Sequence, residues 1–243
     1  MRLVVGDSST LLTTVALRNG GQTVRREVGS GKSQSEKFLS LIDEVLRESE
    51  LRPEDIDAFG LVEGPGSFTG LRIGFSVMKG LAFALKKPLY LSNRLDLMAG
   101  AVGDQSMCLP LVDAHRNSWY TALFQNGKRV SEYLDLEEPR LRDLLNDPVA
   151  FFSALNSNVP GNFSLRVCGE WPSEWKDEHP AGKLEWVSGE QTRRIDEVLL
   201  EALERDIRQD KTPSDLASAI PFYLRRSEAE NLLAEKIQKK SPL

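Results

Sequence analysis

"EGPGSFTGLRIG", from Glu63 to Gly74, is the most informative run in the chain. It follows an apolar segment and opens an apolar helix, as phosphate-binding loops do. A Walker loop needs G-x-x-x-x-G-K-[ST], but Thr69 stands five positions after Gly64 and no lysine follows. A dinucleotide fingerprint needs G-x-G-x-x-G, and Thr69 again replaces the third glycine. An anion could still bind at this helix N-terminus. We favour a tight strand-to-helix turn formed by Gly64, Pro65, Gly66, Ser67, Thr69 and Gly70.

Two helices flank this turn in the sequence, and both are broadly apolar. The first carries apolar residues over roughly 160° of its circumference, and the second, "GLRIGFSVMKGLAFAL", is apolar nearly all round. Such helices are buried on more than one side, either within the chain or against a partner helix pair. We favour a partner, because an exposed apolar patch of this size is costly. The candidate interface residues are Phe38, Leu39, Ile42, Leu46, Leu71, Phe75, Met78 and Lys79.

The chain also contains an internal repeat. Shifted by 106 residues, the segment Leu3–Val24 aligns without a gap on Leu109–Val130, with six identical positions. Each copy predicts strand, turn, strand, turn, strand, and the Asn-Gly pairs favour tight hairpins. Asp7 and Asp113 occupy the corresponding first turns, where a carboxylate can accept hydrogen bonds from nearby backbone N–H groups.

The order of elements predicts an α/β protein with two similar lobes. The first lobe reads βββαβαβ, and its first helix begins at a predicted capping box of Ser33 and Glu36. The second lobe follows a similar order, so we expect two mixed sheets with flanking helices and a cleft between them. We place the lobes at residues 1–95 and 96–243, with a C-terminal helix able to pack back on the first lobe.

The paired aspartates leave two functional alternatives open. Asp7 and Asp113 could hold Mg–nucleotide in the cleft, as in an actin-like kinase or ATPase. However, the turns "DSST" and "DAHR" lack the glycine that would let backbone N–H groups reach phosphate, and His115 and Arg116 would crowd the second. We therefore favour turn capping in a vestigial cleft. We expect no catalytic residues, because G-x-S-x-G and HExxH are missing from the sequence, and no metal, because His115 and His179 are 64 residues apart.

Composition is that of an ordinary globular protein, with 40% apolar and 28% charged residues. The net charge of -5 argues against a surface built for nucleic acid, in spite of a basic tail at Lys236–Lys240. The sequence has no apolar run of about 20 residues and no signal-peptide pattern. Cys108 and Cys168 form no CxxC pair, so a cytoplasmic chain with reduced thiols is the simplest interpretation.

Several of these stretches resemble one known family. "GPGSFTGLRIG" followed by "MKGLAFA" is similar to the signature of the TsaB (YeaZ) family. "GDSSTLLTTVAL" resembles the family's first hairpin, "VDAHRNSWYTALF" resembles its second-lobe hairpin, and "IPFYLRR" resembles its C-terminal P-x-Y-L-R motif. The segment from about 139 to 210 matches only loosely.

The resemblance implies a two-lobe actin-like fold, a duplicated ribonuclease-H-like unit of the ASKHA class. It also implies a non-catalytic subunit without a cofactor, which pairs with TsaD through the two apolar helices, is joined by the ATPase TsaE, and forms homodimers when alone. Together these proteins modify the adenosine next to the anticodon of ANN-decoding tRNAs, and the subunit meets tRNA only through the complex. TsaD proteins hold a metal with an H-x-x-x-H pair. No such pair occurs in this sequence, which has Gln34 in the corresponding helix.

Overall fold

The computed structural model describes residues 1–29, 34–103, 107–155, 163–172, 174–175, 184–187 and 194–225. The predicted capping box at Ser33 and Glu36, the side chain of Gln34, His179 and the basic tail lie outside the described residues.

The first lobe has the predicted order of elements. Its sheet runs β3-β2-β1-β4-β5; the first three strands are antiparallel neighbours, while β1, β4 and β5 pair in parallel. The elements are β1 (Arg2–Asp7), β2 (Leu12–Asn19), β3 (Gln22–Gly29), α1 (Gln34–Glu48), β4 (Ala58–Gly64), α2 (Phe68–Leu85) and β5 (Leu89–Asn93).

The second lobe repeats this sheet. Its main order is β10-β7-β6-β11-β12, with the same alternation of antiparallel and parallel pairs as in the first lobe. The two-lobe α/β fold expected from the repeat is therefore confirmed. The elements are α3 (Arg94–Val102), β6 (Met107–Asp113), β7 (Ser118–Thr121), β8 (Phe124–Gln125), β9 (Lys128–Arg129), β10 (Leu134–Glu137), α4 (Glu138–Asn146), α5 (Pro148–Ala154), β11 (Leu165–Gly169), β12 (Leu184–Trp186) and α6 (Ile195–Arg208).

The third strand of the second repeat differs from the prediction. The Asn126-Gly127 turn forms, with both residues at positive φ, but it joins only the two-residue strands β8 and β9. The strand that pairs with β7, as β3 pairs with β2, is instead β10. The strand that follows this turn is short because β7 ends at Thr121, and Leu123 then bonds to Ser131 and Val130 rather than to a long neighbouring strand.

Alternation along β1 places apolar side chains on both faces of the first sheet. Val4 packs in a cluster with α1 and α2, whereas Leu3 and Val5 pack in a second cluster with α3 and α6. This second cluster also contains Cys108 and Cys168 from the other sheet, so it joins the two lobes. Both cysteines are free thiols, with sulfur atoms 3.7 Å apart.

Candidate functional site

The glycine-rich turn is packed against the turn between β1 and β2. A Cβ on Gly66 would lie 2.1 Å from the carbonyl oxygen of Ser9, and one on Gly70 would lie 1.9 Å from that of Ser8. The Ser67 N–H donates to the Ser9 carbonyl at 2.6 Å, and the Ser8 hydroxyl donates to the Gly70 carbonyl at 2.8 Å. These glycines therefore let two backbone segments touch, as the tight-turn interpretation predicted.

Ser67 also begins helix α2. Its hydroxyl oxygen accepts a hydrogen bond from the Gly70 N–H at 3.2 Å, which satisfies one free N–H of the first helical turn. Gly64 and Pro65 are buried beside it, while Thr69 is exposed. Gly64 has a φ of 120°, and a Cβ there would lie 2.6 Å from the Phe222 carbonyl oxygen. A segment from the far end of the sequence thus covers the turn.

Asp7 is buried, and both of its carboxylate oxygens accept hydrogen bonds. Its Oδ1 accepts from the Ser9 N–H at 2.8 Å and from the Ser9 hydroxyl at 2.6 Å, which is the turn capping expected from the sequence. Its Oδ2 accepts from Nη1 of Arg94, the first residue of α3, at 2.5 Å. Within the described ranges, the Nε of this buried Arg94 has no hydrogen-bond partner. A cation from the protein itself therefore neutralises Asp7.

Asp113 caps its own turn in the same way. Its Oδ1 accepts from the His115 N–H at 2.6 Å, and its own N–H donates to a carboxylate oxygen of Glu170 at 3.2 Å. Three consecutive residues of this turn, His115, Arg116 and Asn117, have φ between 56° and 59°. The turn thus achieves left-handed backbone without glycine, and the exposed Arg116 belongs to it.

A small group of ionisable side chains lies near the end of β4. Burial raises the pKa of Glu63 above its ordinary value of 4.5, and the nearby Asp96 carboxylate raises it further. Burial also raises the pKa of Asp96, although that carboxylate accepts a hydrogen bond from the Tyr133 hydroxyl at 2.8 Å. Both carboxyl groups therefore hold their protons more tightly than they would in water.

The structure corrects the predicted set of partner-contact residues on α1 and α2. Six of the eight side chains are buried inside the chain: Phe38, Ile42, Leu46, Leu71, Phe75 and Met78. All of them except Leu71 belong to the apolar cluster between these helices and the first sheet. The wide apolar arcs arise because each helix packs on the sheet and also on the other helix. Leu39 remains exposed, and Lys79 is half-buried.

The outer surface of the helix pair still carries apolar residues. Phe83 on α2 is 77% exposed, and Leu39 on α1 is 51% exposed. Ser76, Gly80 and Ala84 are also exposed on α2, so little side-chain bulk surrounds Phe83 along the helix. We call these five residues the outer face. It is the part of the two helices that a partner could reach without rearrangement of the core.

The long apolar helix α2 has a second possible interpretation. By length and composition alone it could cross a membrane, and core helices of soluble proteins share these two properties. Six residues of α2 are buried in the chain. Across the described ranges, no group of three or more histidine, cysteine or acidic residues could hold a metal ion.

Among known proteins, the chain is similar to TsaD, TsaB and YeaZ proteins. A family model described as "TsaD: tRNA N6-adenosine threonylcarbamoyltransferase" matches residues 28–138. The tRNA threonylcarbamoyladenosine biosynthesis protein TsaB of Haemophilus influenzae is 29% identical over 174 residues, which cover 70% of this chain and 73% of the relative. TsaB of Bacillus subtilis is 32% identical over 95 residues, which cover 39% of this chain and 42% of the relative. The solved structure of YeaZ from Pseudomonas aeruginosa has a TM-score of 0.67 at 20% identity, covering 92% of this chain and 100% of that one. The curated TsaB relatives support the resemblance to the TsaB (YeaZ) family.

The family resemblance stated from "GPGSFTGLRIG" is therefore confirmed, and the YeaZ structure confirms the fold. The transferase model spans α1 and α2 and ends within the second lobe, at residue 138. Sequence reasoning missed Arg94, because a lone arginine after an N-cap residue carries no pattern that marks it as buried.

Proposed function

We propose that this chain takes part in threonylcarbamoyladenosine biosynthesis on tRNA, as a non-catalytic subunit of the modifying complex. The observation that carries the proposal is the similarity to proteins named TsaB, reinforced by the transferase model over residues 28–138. In this proposal the complex modifies the adenosine next to the anticodon of ANN-decoding tRNAs in the cytoplasm. The chain meets tRNA only through its partners.

The hydrogen bonds that engage Asp7 and Asp113 in their turns support a non-catalytic role. Asp7 is held by Ser9 and by the Arg94 guanidinium, so its carboxylate is not free to order a magnesium ion. Asp113 is engaged by the His115 N–H in a turn without glycine. An actin-like kinase or ATPase needs both turns open to Mg–nucleotide phosphates, so this alternative is disfavoured.

We further propose that the outer face of α1 and α2 docks the transferase TsaD. Since the transferase model spans the same two helices, helix pairs of similar shape can meet face to face. Exposed Phe83 would anchor such an interface, and Gly80 and Ser76 would let a partner backbone come close. TsaE joins this pair, and in the absence of TsaD a second copy of the chain takes its place.

Reconstitution tests the proposal directly. Purified TsaD and TsaE of the same organism are supplied with unmodified tRNA, threonine, bicarbonate, ATP and the enzyme that makes the threonylcarbamoyl adenylate. Modified nucleoside is then measured by mass spectrometry with and without this chain. We expect modification to require the chain. Full modification in its absence would overturn the proposal.

A further inference from the structure

The segment Ser214–Arg225, which we call the strap, has no helix or strand and yet is anchored along its whole length. At its start, the Ser214 N–H donates to the carbonyl oxygen of Leu89 on β5 at 2.8 Å. Further along, the Phe222 N–H donates to the carbonyl oxygen of Glu63 at 2.7 Å. The strap therefore crosses the carboxyl end of β4, next to the glycine-rich turn.

The strap also runs along helix α2. Lys79 donates from Nζ to the Ala219 carbonyl at 2.6 Å. Nearer the start of the helix, Arg72 donates from Nε to the Tyr223 hydroxyl at 3.2 Å, and the rings of Phe68 and Tyr223 lie 4.8 Å apart. These contacts fix the strap antiparallel to α2 over about three helical turns.

The last residue of the strap reaches the second lobe. Arg225 forms a bidentate pair with Asp135 of β10, at 2.7 and 2.6 Å, and donates to the Ala114 carbonyl beside the Asp113 turn at 3.4 Å. The ring of Phe222 also contacts that of Tyr133, 5.1 Å away. A bidentate arginine–carboxylate pair fixes the relative orientation of its two side chains. The pair between Arg225 and Asp135 therefore holds the second lobe in one position relative to the strap.

The strap is continuous with the outer face. Phe83 lies one turn beyond Lys79 on the same side of α2, and the 70% exposed Ile220 directly follows Ala219. A protein that covers Phe83 would therefore meet the strap as well as the helix.

We propose that the strap couples the outer face to the second lobe, so that a transferase bound on α2 restrains the position of the second lobe. The identity of the bound protein rests on the function proposed above. The coupling itself runs through this chain alone, from Lys79 through the strap to Asp135.

Hydrogen exchange of the Phe222 amide in the full chain tests the intramolecular part. Lys79→Ala removes the anchor at Ala219 and Arg225→Ala removes the anchor at the last residue of the strap, so each should speed this exchange by about ten-fold. In the double variant, the Phe222 amide should exchange no more than about two-fold faster than in the faster single variant. If the two residues acted independently, their effects on the exchange rate would instead multiply. Unchanged exchange in Arg225→Ala, or fully multiplicative effects, would overturn the proposal.

A matched control is available in the second lobe. Arg166 also forms a bidentate carboxylate pair, with Glu185 at 3.0 and 3.0 Å, and also donates to a backbone carbonyl, that of Val102. Arg166→Ala should leave Phe222 exchange within about two-fold of wild type. Asp135→Asn removes the strap pair from the other side and should reproduce Arg225→Ala, which separates release of the strap from loss of folding.

The second arm adds TsaD to the full chain and follows the amides of Leu134–Glu137. Binding should slow their exchange about three-fold or more in wild type and not in Arg225→Ala. A complex that leaves these amides unchanged in wild type would overturn the coupling. Failure of the wild type to bind TsaD would instead overturn the proposed function, and the Phe222 measurements would still decide the intramolecular part.

Discussion

Arg94 donates a hydrogen bond to Asp7 across 2.5 Å, and both side chains are buried. The pair links the first turn of the N-terminal hairpin to the helix that leads into the second lobe. This one contact therefore ties the N-terminal hairpin to α3 and engages one oxygen of the Asp7 carboxylate.

Removal of Arg94 should destabilise the chain strongly. In Arg94→Ala the buried Asp7 charge loses its partner, and we expect a loss of about 3–5 kcal/mol in the free energy of unfolding. Urea denaturation measures this loss. Arg47→Ala, which removes an exposed pair with Asp43, should cost less than about 1 kcal/mol. Equal losses in the two variants would contradict the buried-pair account.

Mg–ATP should not bind tightly to the wild-type chain. Asp7 and Asp113 are both engaged by their own turns, and neither turn has a glycine directly after the aspartate. Isothermal titration calorimetry of the purified chain checks this expectation. Tight binding that is lost in Asp113→Ala would favour the kinase or ATPase alternative.

Alanine substitutions at two glycines of α2 should change the stability of the chain in opposite directions. In Gly70→Ala the new methyl group meets the Ser8 carbonyl at 1.9 Å, so a backbone must move, at a cost of about 1–3 kcal/mol or more. In Gly80→Ala nothing lies within 4 Å, and the better helix propensity should stabilise by about 0.5–1 kcal/mol. Thermal unfolding of both variants tests the packing role of the turn. Equal tolerance of both substitutions would show that the turn is not tightly packed.

The stability of the chain should depend on pH through Glu63. Its pKa is raised in the folded state, so the folded state binds the proton more tightly than the unfolded state does. The resulting contribution to the free energy of unfolding is fully present below about pH 4.5. It is lost as the pH rises through the raised pKa. Glu63→Gln should therefore be more stable relative to wild type at pH 7 than at pH 4, by urea denaturation. The exposed Glu201→Gln is the control, and an equal effect of Glu63→Gln at both pH values would refute the assignment.

The elements of the fold could be predicted from sequence to a large extent, because their signals are local. The Asn-Gly hairpins, the Asp turns and the strand-to-helix turn at Gly64 each depend on neighbouring residues. Burial of Phe38 and Phe75 could not be assigned, because a wide apolar arc arises equally from contact with a partner and from contact with both a sheet and another helix. The packing of the strap on α2 could not be predicted either, because Lys79 and Ala219 are far apart in the sequence and share no periodic pattern.

The burial pattern changes which substitutions test docking. Phe75→Glu would place a charge in the core and should unfold the chain, whereas Phe83→Glu alters a side chain that is already exposed and should change stability by less than about 0.5 kcal/mol. Circular dichroism during thermal unfolding separates the two cases. If Phe75→Glu unfolds like wild type, the described core is wrong.

The most direct measurement of the docking claim is light scattering after size exclusion of this chain mixed with TsaD. Wild type should elute as a complex whose mass contains both proteins. Phe83→Glu should weaken that complex at least about ten-fold, as expected when a buried aromatic anchor becomes charged. Leu155→Glu, at an exposed apolar residue of the second lobe, should leave it intact. A complex equally strong in wild type and Phe83→Glu would contradict docking through the outer face.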